Sequence, residues 1–269
     1  MKLAFSTVGC PDWSFEEIFV TAKDLGYGAI EIRGIGREIY APKLKIFSGQ
    51  RLEQTKQKLA KAGLSVPVFA SNAVVGVPQI AESGKIEAFE YIDAASAAGV
   101  PFVRVLISPR PDPDVIDINT AVSIYSEICE YAESKKVTPL IETNGVFAES
   151  KALREFISKI ASGNKGVLWD INHPCRFFSE TAQQTFDNIG EYVKYMHIKD
   201  SVSEAGRIVY KMMGHGDLPV RGILKLMSGA GYGGFLSLEW TKRWQPELQE
   251  PGIVFSHYVN YMNTLLGDL

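Results

Sequence analysis

The chain has 269 residues, 46% hydrophobic and 22% charged, with 28 Lys and Arg against 31 acids for a net charge of -3. That balance can bury a large core and gives no electrostatic reason to expect nucleic acid as a partner. The cysteines Cys10, Cys129 and Cys175 are odd in number, far apart and form no CxxC pair, against both a disulfide framework and a cysteine zinc site.

Apolar runs alternate with amphipathic segments along the chain. Residues 2–6 read as a first strand, followed by Ser14 with Glu17 three positions on, a capping-box pattern opening a helix that closes at Gly26. Residues 29–32 form a second strand, and residues 51–62 a helix ending at Gly63. A third strand is expected over 66–71 with a helix over 85–98 stopped by Gly99, then a fourth over 102–107. The Pro-rich stretch 109–113 delays the next helix to about Thr120. Further strands are expected at 140–142, 167–170, 195–198 and 235–239, with helices near 151–161, 181–189, 220–230 and 252–265. The strands are nearly continuous apolar runs, as expected when both faces are buried. Eight strand-helix units in 269 residues predict an α/β chain folded as a single (β/α)8 TIM barrel, one domain over residues 1–269.

The strongest chemical signal is where the polar residues fall. Four successive predicted strands end on metal-ligand types: Leu140-Ile141-Glu142, Leu168-Trp169-Asp170, Tyr195-Met196-His197 and Ser237-Leu238-Glu239. In a barrel the carboxyl ends of all strands open on one face, with neighbours roughly 4.8 Å apart. Four successive ends can therefore converge on one point. Three carboxylates there would repel unless a cation intervened. Three oxygen donors and one nitrogen, without thiolate, favour Mn, Mg or Co, with Zn still open. One such acid is as readily a helix cap; four on consecutive strands are much harder to explain as caps.

These residues, with Gly26-Tyr27-Gly28-Ala29-Ile30-Glu31-Ile32-Arg33, Ile141-Glu142-Thr143-Asn144, Trp169-Asp170-Ile171-Asn172-His173-Pro174, His197-Ile198-Lys199-Asp200, Gly214-His215-Gly216-Asp217 and Leu238-Glu239-Trp240, resemble the xylose-isomerase-like barrel superfamily of sugar isomerases and epimerases. The resemblance spans nearly the whole chain. It implies that Glu142, Asp170, His197 and Glu239 hold a divalent metal, that Glu142 and Glu239 also act as acid and base, and that His173 contacts substrate oxygens. The implied reaction is isomerisation or epimerisation of a sugar or keto-cyclitol by proton transfer through a metal-stabilised enediolate. The alternative on the same site is a lyase, dehydrating a keto-inositol or eliminating from an oxidised glycoside. The His197-Ile198-Lys199-Asp200 segment is closer to the inositol-catabolic branch than to the ketose 3-epimerases. An endonuclease IV-type hydrolase shares the barrel but needs three zinc ions and more than the four histidines present.

Weaker expectations attach to Glu31, Lys199 and Trp240 as substrate contacts, Arg33 beside Glu31, and Asn144 and Lys199 as groups that orient the ligands. His215 in its Gly-rich turn reads equally as a rim residue or a solvated loop histidine, while His257 falls in the last helix. Trp13 and Trp244 are candidates for an apolar wall. No Gly-rich loop followed by a basic residue indicates a phosphate handle. The first residues are too short an apolar run for a secretory leader, and no run approaches the roughly 18 apolar residues of a membrane span. A cytoplasmic location, no membrane partner, and a small carbohydrate or cyclitol substrate are the expectations; aromatic residues near the rim leave room for a homo-oligomer.

Overall fold

The computed structural model describes residues 1–268. Eight parallel strands form one hydrogen-bonded sheet: β1 (Lys2–Ser6), β2 (Ala29–Glu31), β3 (Val68–Val74), β4 (Phe102–Leu106), β5 (Thr138–Glu142), β6 (Gly166–Asp170), β7 (Val193–Ile198) and β10 (Phe235–Leu238). Their order is β2-β1-β10-β7-β6-β5-β4-β3. At the open end of that order, Ser65 bridges Ala29 in parallel, with Ile30 N donating to Ser65 O at 2.9 Å. The fold is a (β/α)8 TIM barrel. Between β7 and β10 lies an antiparallel hairpin that the sequence pattern does not announce, β8 (Asp200–Glu204) and β9 (Arg207–Lys211). Ala205 and Gly206 turn it with φ of 49° and 77°, the double positive φ of a type I′ turn.

The chain divides into two compact units, Met1–Pro67 with Met196–Leu269, and Val68–Tyr195. In the first, α1 (Phe15–Asp24) begins with the expected capping box of Ser14 and Glu17, and α2 (Gly49–Lys61) leads to Ser65. The long α9 (Pro251–Gly267) stacks Phe255 on Phe5 of β1 with ring centroids 4.3 Å apart. Its Tyr258 donates to Leu236 O of β10, and Tyr27 donates to Phe255 O, so helix and strands are tied by buried phenols as well as apolar area. Helix α8 (Val220–Gly229) buries Val220, Ile223, Leu224 and Met227.

In the second unit, α3 (Pro78–Ala98) starts seven residues before the expected position, with Pro78 at its first turn, where the missing N–H costs nothing. Ser83 and Gly84 look like breakers, yet Gly84 is inside the helix because the backbone of β3 leaves no room for a side chain: a Cβ there would meet Val74 O at 2.1 Å. Helix α4 (Ile118–Ser134) is capped by the Asp117 side chain and staples β5 through Tyr125 Oη, which donates to Pro139 O at 2.8 Å. After β5 come α5 (Ser150–Ser158), the short α6 (Asn172–Phe178) directly after β6, and α7 (Ala182–Ile189), whose cap is again a box, Thr181 with Gln184. Among the described residues no helix is long and apolar enough to cross a membrane.

Candidate metal centre

In the second unit, Glu142 and Asp170 are the last residues of β5 and β6, both buried. Thr143 splices these two strand ends. Its N–H donates to Leu168 O, its hydroxyl donates to Asp170 O at 3.1 Å, and Asp170 N donates back to that hydroxyl at 2.9 Å. Asp170 Oδ1 accepts from Asn172 N at the start of α6, so strand, carboxylate and helix are set as one piece. The same turn brings in His173. Its Nδ1 donates to Thr143 O at 2.8 Å, and its Nε2 lies 3.8 Å from Asp170 Oδ2. Thr143 and Asn172 thus have positions that the short motifs around them foreshadow without assigning.

Glu142 has a partner that sequence reasoning missed. Arg104, on β4 and only 6% exposed, donates from Nη1 to Glu142 Oε2 at 3.1 Å. The signal was present as a lone arginine within Phe102-Val103-Arg104-Val105-Leu106, an otherwise apolar buried strand. Asn144, by contrast, bonds the loop after β4. Its side chain donates to Ser108 O and accepts from Ile107 N, holding the loop after β4 against β5.

In the first unit, His197 lies near the end of β7 and Glu239 immediately follows β10, where its N–H donates to Ile198 O. Glu31, at the end of β2, is fully buried; its Oε2 accepts from His197 Nε2 at 2.9 Å and from Ser237 Oγ at 3.1 Å. The other ring nitrogen, Nδ1, lies 3.5 Å from Glu239 Oε1. A carboxylate behind an imidazole is the arrangement that orients metal-ligating histidines. Lys199 is 1% exposed and donates from Nζ to Glu239 Oε2, with the Tyr210 ring of the hairpin 5.6 Å from the same nitrogen.

The remaining expectations divide. Trp240 is buried, its indole N–H donating to Gln249 O, and Arg33 is buried with its guanidinium 5.7 Å from the exposed Trp244 ring. Trp13 meets Phe255 edge-on. Asp200 is a loop anchor: Oδ2 accepts from Gly214 N and Gly216 N, each at 2.9 Å, which explains the Gly-rich turn around the exposed His215. His257 bonds Met213 O from the last helix.

Glu142, Asp170, His197 and Glu239 each offer one ligand atom, and these atoms lie within 4.8 Å of one another. Three carboxylates and an imidazole so close, all buried, fit a divalent cation by charge and by donor type, and the cluster could hold a metal ion.

A family model for the Xylose isomerase-like TIM barrel matches residues 19–254, and the chain belongs to that family. Fructoselysine 3-epimerase of Escherichia coli O157:H7 is 22% identical over 258 residues, covering 92% of this chain and 93% of its own. Among solved structures, the IolI protein with a binding zinc atom superposes with a TM-score of 0.83 at 13% identity, covering 100% of this chain and 99% of that one. D-psicose 3-epimerase with D-tagatose, from Clostridium cellulolyticum H10, gives a TM-score of 0.76 at 17% identity, with 99% of each chain covered.

Proposed function

We propose that this chain is a divalent-metal-dependent isomerase or epimerase of a sugar or keto-cyclitol, working as one domain over its whole length. The observation that carries the reading is the set of four ligand atoms, from Glu142, Asp170, His197 and Glu239, within 4.8 Å of one another. The match to a sugar epimerase over 92% of the chain supports it. A divalent cation, with Mn, Mg or Co preferred by the oxygen-rich donors, would polarise the carbonyl of a hydroxyketone and acidify the neighbouring C–H.

The protein residues do the proton work. One of Glu142 and Glu239 removes the proton from the carbon beside the carbonyl, leaving an enediolate, and the other returns it to the opposite face or the neighbouring carbon. His173, its ring held by Thr143 O through Nδ1, leaves Nε2 to bond a substrate hydroxyl. Glu31 acts through His197 rather than on the substrate, a reading supported by its full burial and the 2.9 Å bond to Nε2. Lys199 neutralises Glu239, and Trp240 secures the segment ending at Gln249.

The test is solvent-deuterium exchange into a panel of ketoses, inososes and 3-keto-glycosides, with Mn and with chelator. Metal-dependent exchange is expected, falling about 10²- to 10⁴-fold in Glu142→Gln or Glu239→Gln. A product lighter by water or by an aglycone would move the assignment to a lyase. Exchange that survives chelation, or survives both substitutions, would sink the proposal.

A further inference from the structure

The buried cation on Glu142 leads back to an irregular strand. Strand β3 pairs β4 in register through Val68↔Phe102, Phe69↔Val103 and Ala70↔Arg104, and resumes only at Val74↔Leu106. Four residues of β3 therefore advance against two of β4, a bulge over residues 71–73. Bulges of this kind terminate regular pairing and re-aim the groups beside them.

Here Ser71, the first displaced residue, turns on Arg104. The Ser71 carbonyl accepts from Arg104 Nη2 at 2.8 Å and from Nε at 3.2 Å. The Ser71 hydroxyl donates to the Arg104 carbonyl at 2.5 Å and accepts from Ala73 N at 3.1 Å, so the bulge is stitched to the strand that carries the arginine. The third guanidinium nitrogen, Nη1, meets Glu142 Oε2. A planar guanidinium with two of its nitrogens on a backbone carbonyl cannot swing, so the third is aimed. Asn72, exposed within the same strand, donates its backbone N–H to Glu87 on α3, which holds the bulge from the helix side.

We infer that Arg104 is a positioning residue for Glu142: braced on the β3 bulge through Ser71 O, it pins Oε2 and thereby fixes the orientation of the carboxylate that would hold the metal. The inference rests on the metal-dependent reading above and deepens it. It also gives the bulge a purpose, since a regular β3 would spend the Ser71 carbonyl in the ladder to β4. Lysine could supply the charge at position 104 but not the fork, because a single ammonium cannot hold both the carbonyl and the carboxylate in fixed planes.

The experiment is a double-mutant cycle read by Mn binding in a calorimeter, without substrate, so turnover does not enter. The chains are the unmutated protein, Arg104→Met, Glu142→Gln and the double variant. Arg104→Lys is added because removing a buried partner outright can unfold a protein. Circular dichroism establishes the fold of each. Arg104→Met is expected to weaken Mn binding by about 10- to 100-fold, the usual effect of losing a group that orients a ligand. Arg104→Lys should fall between, and in the Glu142→Gln background the same change should cost less than about threefold, since the carboxylate it positions is gone. Equal losses in the two backgrounds would mean that Arg104 merely supports the barrel, and unchanged or tighter binding in Arg104→Met would equally overturn the inference. Failure of the metal reading itself would show elsewhere, as an unmutated chain that takes up no Mn.

Discussion

Lys199→Met is the substitution whose outcome separates a metal ligand from an ordinary buried ion pair. Lys199 is 1% exposed and Glu239 9% exposed, with Nζ donating to Oε2. Methionine keeps the length and apolar bulk of the lysine stem but leaves the carboxylate buried without that counter-charge. Losing one partner of a buried pair costs about 3–5 kcal/mol, chiefly from the charge left behind. In chelator, urea unfolding should register that loss. At roughly 2–4 °C per kcal/mol, 3 kcal/mol corresponds to a fall in Tm of about 6–12 °C. With saturating Mn the cation supplies charge to the same carboxylate, so the variant should recover at least half of the loss relative to the unmutated protein. An equal deficit with and without Mn would remove Glu239 from the proposed ligand set. A deficit below about 1 kcal/mol in chelator would mean that the pair only breaks even against an apolar replacement.

Gly84→Ala should destabilise by at least about 1–3 kcal/mol in urea, because its Cβ would meet the Val74 backbone rather than a movable side chain; a neutral result would mean that α3 can slide off β3. Ala205→Asn should strengthen the hairpin by about 1 kcal/mol, since Asn tolerates the positive φ of 49° that costs Ala. Slower hydrogen exchange at Val202 and Val209, which pair across that hairpin, would register it, and unchanged exchange would count against it. Burial pushes the Cys129 thiol up to about 12 and raises Cys10 likewise. A thiol whose pKa is raised on folding stabilises the fold below the unfolded value and loses that contribution as pH rises towards the folded one. Stability should therefore decline between about pH 9 and 12, with a shallower decline in Cys129→Ala; the same slope in both would refute the assignment.

The barrel was legible because each buried parallel strand is a short apolar run, and because capping boxes such as Ser14 with Glu17 mark helix starts chemically. The errors have physical causes. Helix α3 begins early because Pro78 suits a first helical turn and Gly84 answers a close helix–strand approach, whereas both types read locally as breakers. The hairpin of β8 and β9 escaped because its turn is Ala205-Gly206, lacking the Asn or Asp that usually announces a type I′ geometry. Strand β3 was displaced by two residues at its start and three at its end because a bulge shifts the pairing that a period-2 pattern assumes. The partner of Arg104 was out of reach for a related reason, although its lone charge in an apolar strand stands out. A strand residue's role depends on which neighbours its register brings opposite, and that is tertiary information.

The segment His197-Ile198-Lys199-Asp200 shows how much chemistry a strand end can distribute at single-residue resolution. Alternation sends His197 and Lys199 to the same side, where one meets Glu31 and the other Glu239, while Ile198 packs in the core and offers its carbonyl to Glu239 N. Asp200, one residue on, leaves the sheet and collects the amides of Gly214, Gly216 and Leu218, fixing the turn after the hairpin. Gly216 must be glycine there, since a Cβ would come within 2.0 Å of Asp200 Oδ1. Asp200→Ala should accordingly release that turn, losing about 1.5–3 kcal/mol for each charge-assisted bond that is not replaced by water. Because Lys199 is the neighbouring residue, the release should also loosen its hold on Glu239. Proteolysis within residues 212–218 faster than in the unmutated chain, together with weaker Mn binding, is the expected pair of results. Faster cleavage with unaltered Mn binding would separate the turn from the metal centre and confine Asp200 to a structural part.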